Sequence, residues 1–144
     1  MRVLVIDDEA AIRLLCRVNL EAEGIEVTEA ADGVTGLELA QSERPDAILL
    51  DVMMPGLLGW RVAEQLFSDP ATADIPIVFL TARAEFRDRA RGLDIGGLDY
   101  ITKPFNPIEL ASLVRDLVER VERGERDDLR REKLAQLRAI AEED

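Results

Sequence analysis

The fold class of this chain is decided by the stretch Ala47-Ile48-Leu49-Leu50-Asp51-Val52-Met53-Met54-Pro55-Gly56. An apolar run here ends on a single carboxylate, Asp51, and the pair Pro55-Gly56 then breaks regular structure. In a parallel strand that is buried on both faces every interior residue is apolar, so the first charge marks where the strand leaves the core. Because open α/β sheets place their ligands at the carboxyl ends of the strands, we expect Asp51 to lie at a binding site.

A second apolar run, Val3-Leu4-Val5-Ile6, ends in the same way on Asp7-Asp8-Glu9. Such runs alternate along the chain with stretches of helical periodicity. The predicted strands cover residues 3–6, 25–29, 46–50, 77–80 and 98–102, and the predicted helices cover 9–23, 33–42, 59–67, 84–93 and 107–121. Strict alternation predicts a doubly wound, five-stranded parallel sheet with helices on both faces. The common strand order 2-1-3-4-5 would bring Asp7, Asp8 and Asp51 together.

Composition narrows the class of protein. The 144 residues suffice for one domain, and a content of 47% apolar and 33% charged residues is ordinary for a soluble globular protein. The formal net charge of -12 argues against direct binding to nucleic acid or to an anionic membrane, and no apolar run approaches the roughly 20 residues of a membrane span. With no signal-peptide pattern and one cysteine, the chain is expected in the cytoplasm.

The absence of histidine removes Ser-His-Asp and Cys-His catalysis and, with a single cysteine, argues against a structural zinc site. Cys16 is expected in the core, because it shares a helical stripe with apolar neighbours. That stripe is Ile12, Leu15, Cys16 and Leu20, and the corresponding stripe of the second predicted helix is Val34, Leu37 and Ala40.

The candidate site combines a metal with phosphate-binding groups. Three carboxylates in one crevice repel one another, and oxygen ligands of this kind suit Mg²⁺. Strands four and five end on Thr81 and Lys103, a hydroxyl and an ammonium group that can bind phosphate oxygens, and the small Ala82 leaves room for a ligand. A nucleophilic carboxylate, a metal and two donors are what transfer of a phosphoryl group onto an aspartate requires.

Taken together, these features resemble the receiver domain of two-component response regulators, a flavodoxin-like fold with the strand order 2-1-3-4-5. The resemblance covers about residues 1–121. It is carried by Asp7-Asp8, Asp51-Val52-Met53-Met54-Pro55-Gly56, Thr81-Ala82, Tyr100 and Lys103-Pro104-Phe105. Leu58 and the pair Gly97-Leu98 depart from the family pattern, but both lie outside the phosphorylation set.

The resemblance implies that Asp51 is the phosphoacceptor. Asp7, Asp8, Asp51 and the backbone carbonyl of Met53 would hold Mg²⁺ or Mn²⁺. The phosphoryl donor would be a phosphohistidine on a sensor histidine kinase or a phosphotransfer protein, since this chain has no histidine to carry that group. The chain would then be a signalling switch that assists its own phosphorylation and dephosphorylation, and not an enzyme.

The resemblance also implies how the state would be read out. Thr81 and Lys103 would bind the phosphoryl oxygens beside Ala82, and Tyr100 would turn inward as Thr81 moves. The Lys103-Pro104 peptide bond would be cis. The change would appear on the face built from the fourth predicted helix, the fifth strand and the fifth predicted helix, and would alter protein contacts.

Two surface features allow more than one interpretation. The fourth predicted helix carries an arginine every four residues, which is typical of a solvated face but also fits a docking surface for an acidic partner or a second copy. These residues are Arg83, Arg87 and Arg91. Trp60 falls off the apolar stripe of its helix, so we expect it to be partly exposed and consider it for a kinase contact.

The chain divides into a receiver domain, residues 1–122, and a charged helical tail or linker, residues 123–144. The tail has helical spacing at Leu134, Leu137 and Ala141, and Gly124 predicts a kinked or separate helix. Either the protein acts alone through a downstream protein target, or a C-terminal output domain is missing. A phosphorylation-linked homodimer is a further expectation.

The sequence disfavours three other functions. A phosphohydrolase with an aspartyl-phosphate intermediate typically carries a second Asp two positions after the first, where this chain has Met53. A nucleotide or flavin site is disfavoured because no G-x-G-x-x-G follows the first strand. A module that works without phosphorylation is disfavoured by the complete set of acidic pair, acceptor, threonine and lysine.

Overall fold

The computed structural model of the protein describes residues 1–54, 59–81 and 96–143, with side chains up to residue 139. The strands are β1 (Arg2–Ile6), β2 (Glu26–Ala30), β3 (Ala47–Asp51), β4 (Ile77–Thr81) and β5 (Asp99–Thr102). The helices are α1 (Ala10–Glu21), α2 (Gly33–Glu43), α3 (Gly59–Ser68), α4 (Leu110–Glu122) and α5 (Arg126–Glu143), and a 3-10 turn, Pro107–Glu109, precedes α4. The fourth predicted helix, with its arginines, and the predictions for Leu58 and Ala82 lie outside the described residues.

All five strands are parallel and follow the order β2-β1-β3-β4-β5, which confirms the predicted sheet. The register sets β1 beside β3, with Ile6 opposite Leu50. On the other side of β3, Asp51 lies opposite Leu80. The carboxyl ends of β1, β3 and β4 therefore meet at one edge of the sheet.

The core has two layers because successive side chains of a strand point to opposite faces. On one face, Val3 and Val5 pack with α1 and α4. On the other face, Leu4 and Ile6 pack with α2 and α3. Each fully buried apolar side chain contributes about 1.5–3 kcal/mol, so both layers are needed to hold the sheet between its helices.

Some of the predicted helix faces were wrong. Cys16 is fully buried, as expected, and burial raises the pKa of its thiol to about 12. Leu15, however, is 37% exposed and Val34 is 59% exposed. Leu15 lies about 100° around the helix from Cys16, and α2 instead buries its glycines Gly33 and Gly36 against the sheet.

The prediction for Trp60 was also wrong. Its side chain is only 7% exposed, and its ring lies 5.0 Å from that of Phe79 on β4. Trp60 stands three residues before the buried Ala63, so the apolar stripe of α3 is wider than the sequence pattern suggested.

A close contact with β3 fixes the start of α3, because a Cβ atom on Gly59 would come within 2.1 Å of the Asp51 carbonyl oxygen.

The C-terminal part consists of two helices. The Asn106 side chain accepts a hydrogen bond from the Ile108 N–H at 3.1 Å and so caps the turn that leads into α4. Helix α4 buries Leu110, Ala111, Val114, Leu117 and Val118, and Leu113 and Val121 pack against this face partly buried. Gly124, at φ +80°, separates α4 from α5, as the prediction of a separate helix requires.

Among the described residues, no helix is both long and apolar enough to cross a membrane.

Candidate functional site at the carboxyl edge of the sheet

The structure brings the three predicted carboxylates together. Asp7 and Asp8 follow β1, and Asp51 is the last residue of the neighbouring strand β3. Continuing the register of these strands by one residue places Asp7 beside Asp51. One carboxylate oxygen from each of Asp7, Asp8 and Asp51 lies within 4.8 Å of the others. The edge of the sheet therefore carries a compact acidic cluster.

Burial makes this cluster electrostatically costly. Asp7 is fully buried and Asp51 is 3% exposed, whereas Asp8 is exposed. Desolvation by burial raises the pKa of Asp51 to about 6, and the charge of Asp7 acts in the same direction. The Met53 N–H, which donates to Asp51 Oδ1 at 3.0 Å, works to lower that pKa. A proton or a cation would relieve the remaining repulsion.

Lys103 supplies a positive charge to the cluster. Its Nζ atom lies 2.8 Å from Asp7 Oδ2 and 3.5 Å from both Asp51 Oδ2 and Glu9 Oε1. Burial works to lower the pKa of Lys103, but its interactions with Asp7, Asp51 and Glu9 outweigh that effect and raise it. The backbone holds the lysine in place, since the Lys103 N–H donates to the Thr81 carbonyl at 2.7 Å. The Lys103-Pro104 peptide bond is cis.

Asp7 retains capacity for a further ligand. Its Oδ1 accepts the Glu9 N–H at 2.9 Å. Its buried Oδ2 lies near Lys103 but accepts no hydrogen bond of good geometry within the part of the chain that the structure describes. A buried carboxylate oxygen that is paired with a lysine but accepts no hydrogen bond of good geometry, in a set of oxygen-only donors, fits a hard divalent cation such as Mg²⁺.

The other predicted residues are placed as follows. Thr81 ends β4 opposite Thr102 of β5 and is 3% exposed, so its hydroxyl lies at the same edge of the sheet as Asp51. Tyr100 is partly buried and packs against the core layer between the sheet and α2 and α3. The Met53 side chain is 52% exposed, and the role of its carbonyl stays a prediction.

Sequence reasoning missed two neighbours of the site. Glu9 was recognised as part of the acidic run but not as a partner of Lys103. Arg13 of α1 donates from Nη1 to the Asp7 carbonyl at 2.8 Å and pairs with Glu29 at 3.3 Å, so it braces the loop after β1. Its position one turn into α1 was the only sequence signal for this contact.

Comparison with known proteins agrees with this geometry. The chain matches the family model of the response regulator receiver domain over residues 3–115. The DNA-binding dual master transcriptional regulator RpaA of Synechocystis sp. is 44% identical over 122 residues, which are 85% of this chain and 51% of RpaA. Response regulator PleD of Caulobacter vibrioides is 48% identical over 117 residues, 81% of this chain and 26% of PleD. The chain thus spans about half or less of the length of these relatives.

The backbone is similar to solved structures of the same kind. The chemotaxis protein CheY4 of Vibrio cholerae superimposes with a TM-score of 0.75 at 32% identity, covering 80% of this chain and 96% of that one. The family match ends at residue 115, so α5 lies beyond the matched region. Fold, site geometry and sequence lead to one conclusion: the chain belongs to the response regulator receiver domain family, whose members are phosphorylation-dependent signalling switches.

Proposed function

We propose that the chain accepts a phosphoryl group on Asp51 in a reaction that depends on a divalent cation. The observation that carries this proposal is the convergence of three carboxylates and Lys103 at the ends of neighbouring strands. The donor is a phosphohistidine on a sensor histidine kinase or a phosphotransfer protein, the class of partner that supplies receiver domains. The chain itself contains no histidine that could carry the group.

The metal set consists of the carboxylates of Asp7, Asp8 and Asp51 and the backbone carbonyl of Met53. These oxygens would hold Mg²⁺ or Mn²⁺, which neutralises charge on the phosphoryl oxygens when it is bound. The fit rests on the oxygen-only donor set and on the buried Asp7 Oδ2, which is paired with Lys103 but accepts no hydrogen bond of good geometry among the described residues. Asp8 is the solvent-exposed member of the set, so the cation would enter on its side.

The chemistry of the protein groups follows from their positions. A carboxylate oxygen of Asp51 attacks phosphorus, the P–N bond to the donor histidine breaks, and its ring nitrogen leaves with the electron pair. Lys103 and the Thr81 hydroxyl bind the phosphoryl oxygens and stabilise the negative charge that is spread over them in the transition state. Because Lys103 already lies 3.5 Å from Asp51 Oδ2, little rearrangement is needed for that contact.

The phosphorylated state is read out by protein contacts and not by catalysis on a further substrate. Thr81 moves toward the phosphoryl group, and Tyr100 turns inward into the space that Thr81 vacates, while the small side chain of Ala82 leaves room for the phosphoryl group to approach. The target is a downstream protein or an output domain C-terminal to this chain, with a phosphorylation-linked homodimer as one form of contact. RpaA is named as a DNA-binding protein, but this chain corresponds to about half of it and has a net charge of -12, so we propose no direct contact with nucleic acid.

The test is covalent labelling by acetyl phosphate with MgCl₂, followed by intact mass spectrometry and size-exclusion chromatography. Wild-type protein should gain one phosphoryl group, Asp51→Asn should gain none, and EDTA should prevent the reaction. Asp46→Asn is the matched control, because Asp46 lies at the opposite end of the same strand and is exposed. Stoichiometric labelling of Asp51→Asn would sink the assignment, and no labelling of the wild type would favour a phosphorylation-independent module.

A further inference from the structure

Helix α5 folds back against the receiver body through a network of ion pairs. Arg120 of α4 binds Glu132 of α5 through two contacts, at 2.8 and 2.9 Å, and binds Glu125 at 3.1 Å. Gly124 supplies the reversal between the two helices. The beginning of α5 is held as well, because the Arg126 side chain donates to the Asp74 carbonyl before β4 at 2.5 Å. These contacts define the docked position of α5.

One face of α5 makes the contacts with the rest of the protein. Leu129, Lys133 and Leu137 recur every four residues and so lie on the same side of the helix. Leu129 is 4% exposed and belongs to the core layer between the sheet and α1 and α4, and Leu137 is 1% exposed. Lys133 Nζ lies 3.3 Å from Asp99 Oδ1 at the start of β5. On the opposite side of the same helix, the Arg131 side chain is 76% exposed.

In the ion pair at β5, the Asp99 side chain is buried and the Lys133 side chain is partly exposed. Asp99 is 7% exposed, and burial raises its pKa while Lys133 works to lower it. The Asp99 carboxylate has two partners, because its Oδ1 also accepts the Tyr100 N–H at 2.8 Å. The contact with α5 is thus tied to the backbone of β5 and to Tyr100.

Strand β5 connects this contact to the acidic cluster. Asp99 begins the strand and Lys103 follows its last residue, so the two are four residues, or about 13 Å, apart along an extended backbone. Lys103 binds Asp7 and lies 3.5 Å from Asp51. A new partner for Lys103 at Asp51 therefore acts on the same strand that holds α5.

We propose that α5 is a phosphorylation-controlled latch, docked on β5 in the unphosphorylated protein and released when Asp51 carries a phosphoryl group. Helix α5 contacts β5 while Lys103 and Tyr100 are in their unphosphorylated positions. Displacement of β5 on phosphorylation would weaken the contact between Lys133 and Asp99. Release exposes the side of β5 and α4 that α5 covers. This inference rests on the proposed role of Asp51. It goes beyond that role because α5 lies outside the region that matches the family.

Coupling of this kind must be reciprocal. If the phosphoryl group weakens docking of α5, loss of docking must strengthen binding of a phosphoryl group by the same factor. Typical coupling between two sites is about 5- to 150-fold, which is large enough to measure at both ends. Lys133→Gln removes the charge at β5 and keeps the helix length, whereas Arg131→Gln on the outer face serves as its matched control.

The experiment uses the full chain and beryllium fluoride with MgCl₂ as a non-covalent phosphoryl mimic. Hydrogen exchange of residues 126–139 measures docking, and titration of the mimic measures its affinity. In the wild type and in Arg131→Gln, saturating mimic should accelerate exchange at least about 5-fold. Lys133→Gln should exchange faster than Arg131→Gln without the mimic and should bind the mimic more tightly, by up to about 5-fold.

The outcomes separate the latch from the proposed function. Magnesium-dependent binding of the mimic that is lost in Asp51→Asn, with unchanged exchange in residues 126–139, would overturn the latch and leave the proposed function intact. Equal affinity of Lys133→Gln and Arg131→Gln for the mimic would also overturn the latch. Failure of the wild type both to bind the mimic and to be labelled by acetyl phosphate would overturn the proposed function, and the latch with it.

Discussion

The two edges of the sheet use charge in opposite ways. At the carboxyl edge, among the residues that the structure describes, the carboxylates of Asp7, Asp51 and Glu9 share the ammonium group of Lys103, and Asp7 and Asp51 are buried. At the opposite edge, where β5 begins, Asp99 pairs with Lys133. Where α4 leads into α5, Arg120 pairs with Glu125 and Glu132, and Arg123 pairs with Glu125. Unmatched buried charge costs stability and is therefore a mark of function, whereas matched pairs position a helix. Four measurements test this contrast.

The largest effect is expected from Lys103→Ala. This change removes the ammonium group that lies 2.8 Å from the buried Asp7 carboxylate, which leaves an uncompensated charge. We expect a loss of about 3 kcal/mol in the free energy of unfolding without divalent cation, measured by urea denaturation. The double variant with Asp7→Asn should recover much of the loss. A loss below about 0.5 kcal/mol would contradict the conclusion that Lys103 compensates the buried charge of Asp7.

Magnesium should stabilise the wild type by about 2.7 kcal/mol at a hundred times its dissociation constant, because the folded state alone gathers the three carboxylates. The urea midpoint in MgCl₂ against EDTA measures this difference. Asp8→Asn should lose most of the response, since Asp8 is exposed and its replacement leaves the core untouched. An unchanged response in that variant would exclude Asp8 as a ligand. Asp46→Asn should respond like the wild type.

Asp51→Asn should stabilise the cation-free protein by about 1–2 kcal/mol at pH 7.5, a value reduced for screening by water at the open site. A carboxyl whose pKa rises on folding costs stability when it is ionised. That cost is complete above about pH 6 and disappears as the pH falls toward the ordinary value of 3.8. The difference in urea midpoint between variant and wild type should therefore shrink from pH 7.5 to pH 5. A difference that is constant with pH would refute the role of ionisation.

The smallest effect is expected at the other edge. Lys133→Gln should cost no more than about 1 kcal/mol in global stability, because the pair with Asp99 is partly open to water. Circular dichroism with urea titration measures this cost, and Arg131→Gln supplies the baseline. A loss as large as that of Lys103→Ala would remove the contrast between the two edges.

The sequence predicted the sheet because β1, β3 and β4 carry short apolar runs that end at a polar residue, and because the strict alternation of strands with helices leaves few topologies. It predicted the meeting of Asp7 and Asp51 for the same reason, since strand order alone brings those ends together. The roles of individual residues at that edge remain predictions.

Features that depend on distant partners could not be predicted. The burial of Trp60 is decided by Phe79, which is 19 positions away in sequence on another strand. Likewise, the spacing of Leu134, Leu137 and Ala141 predicted a helix but not the burial of Leu137, which is 1% exposed. The contact of Lys133 with Asp99 joins residues 34 positions apart, and no local pattern encodes it.

The burial of Trp60 has an optical consequence. The chain contains one tryptophan, so its fluorescence has a single origin, a ring that is 7% exposed and lies 5.0 Å from Phe79. Phe79 stands two residues before Thr81, and Trp60 directly follows the glycine that touches the Asp51 carbonyl. Emission from the unlabelled protein should be that of an indole shielded from water, and its intensity should follow events at Asp51 in real time without an added dye.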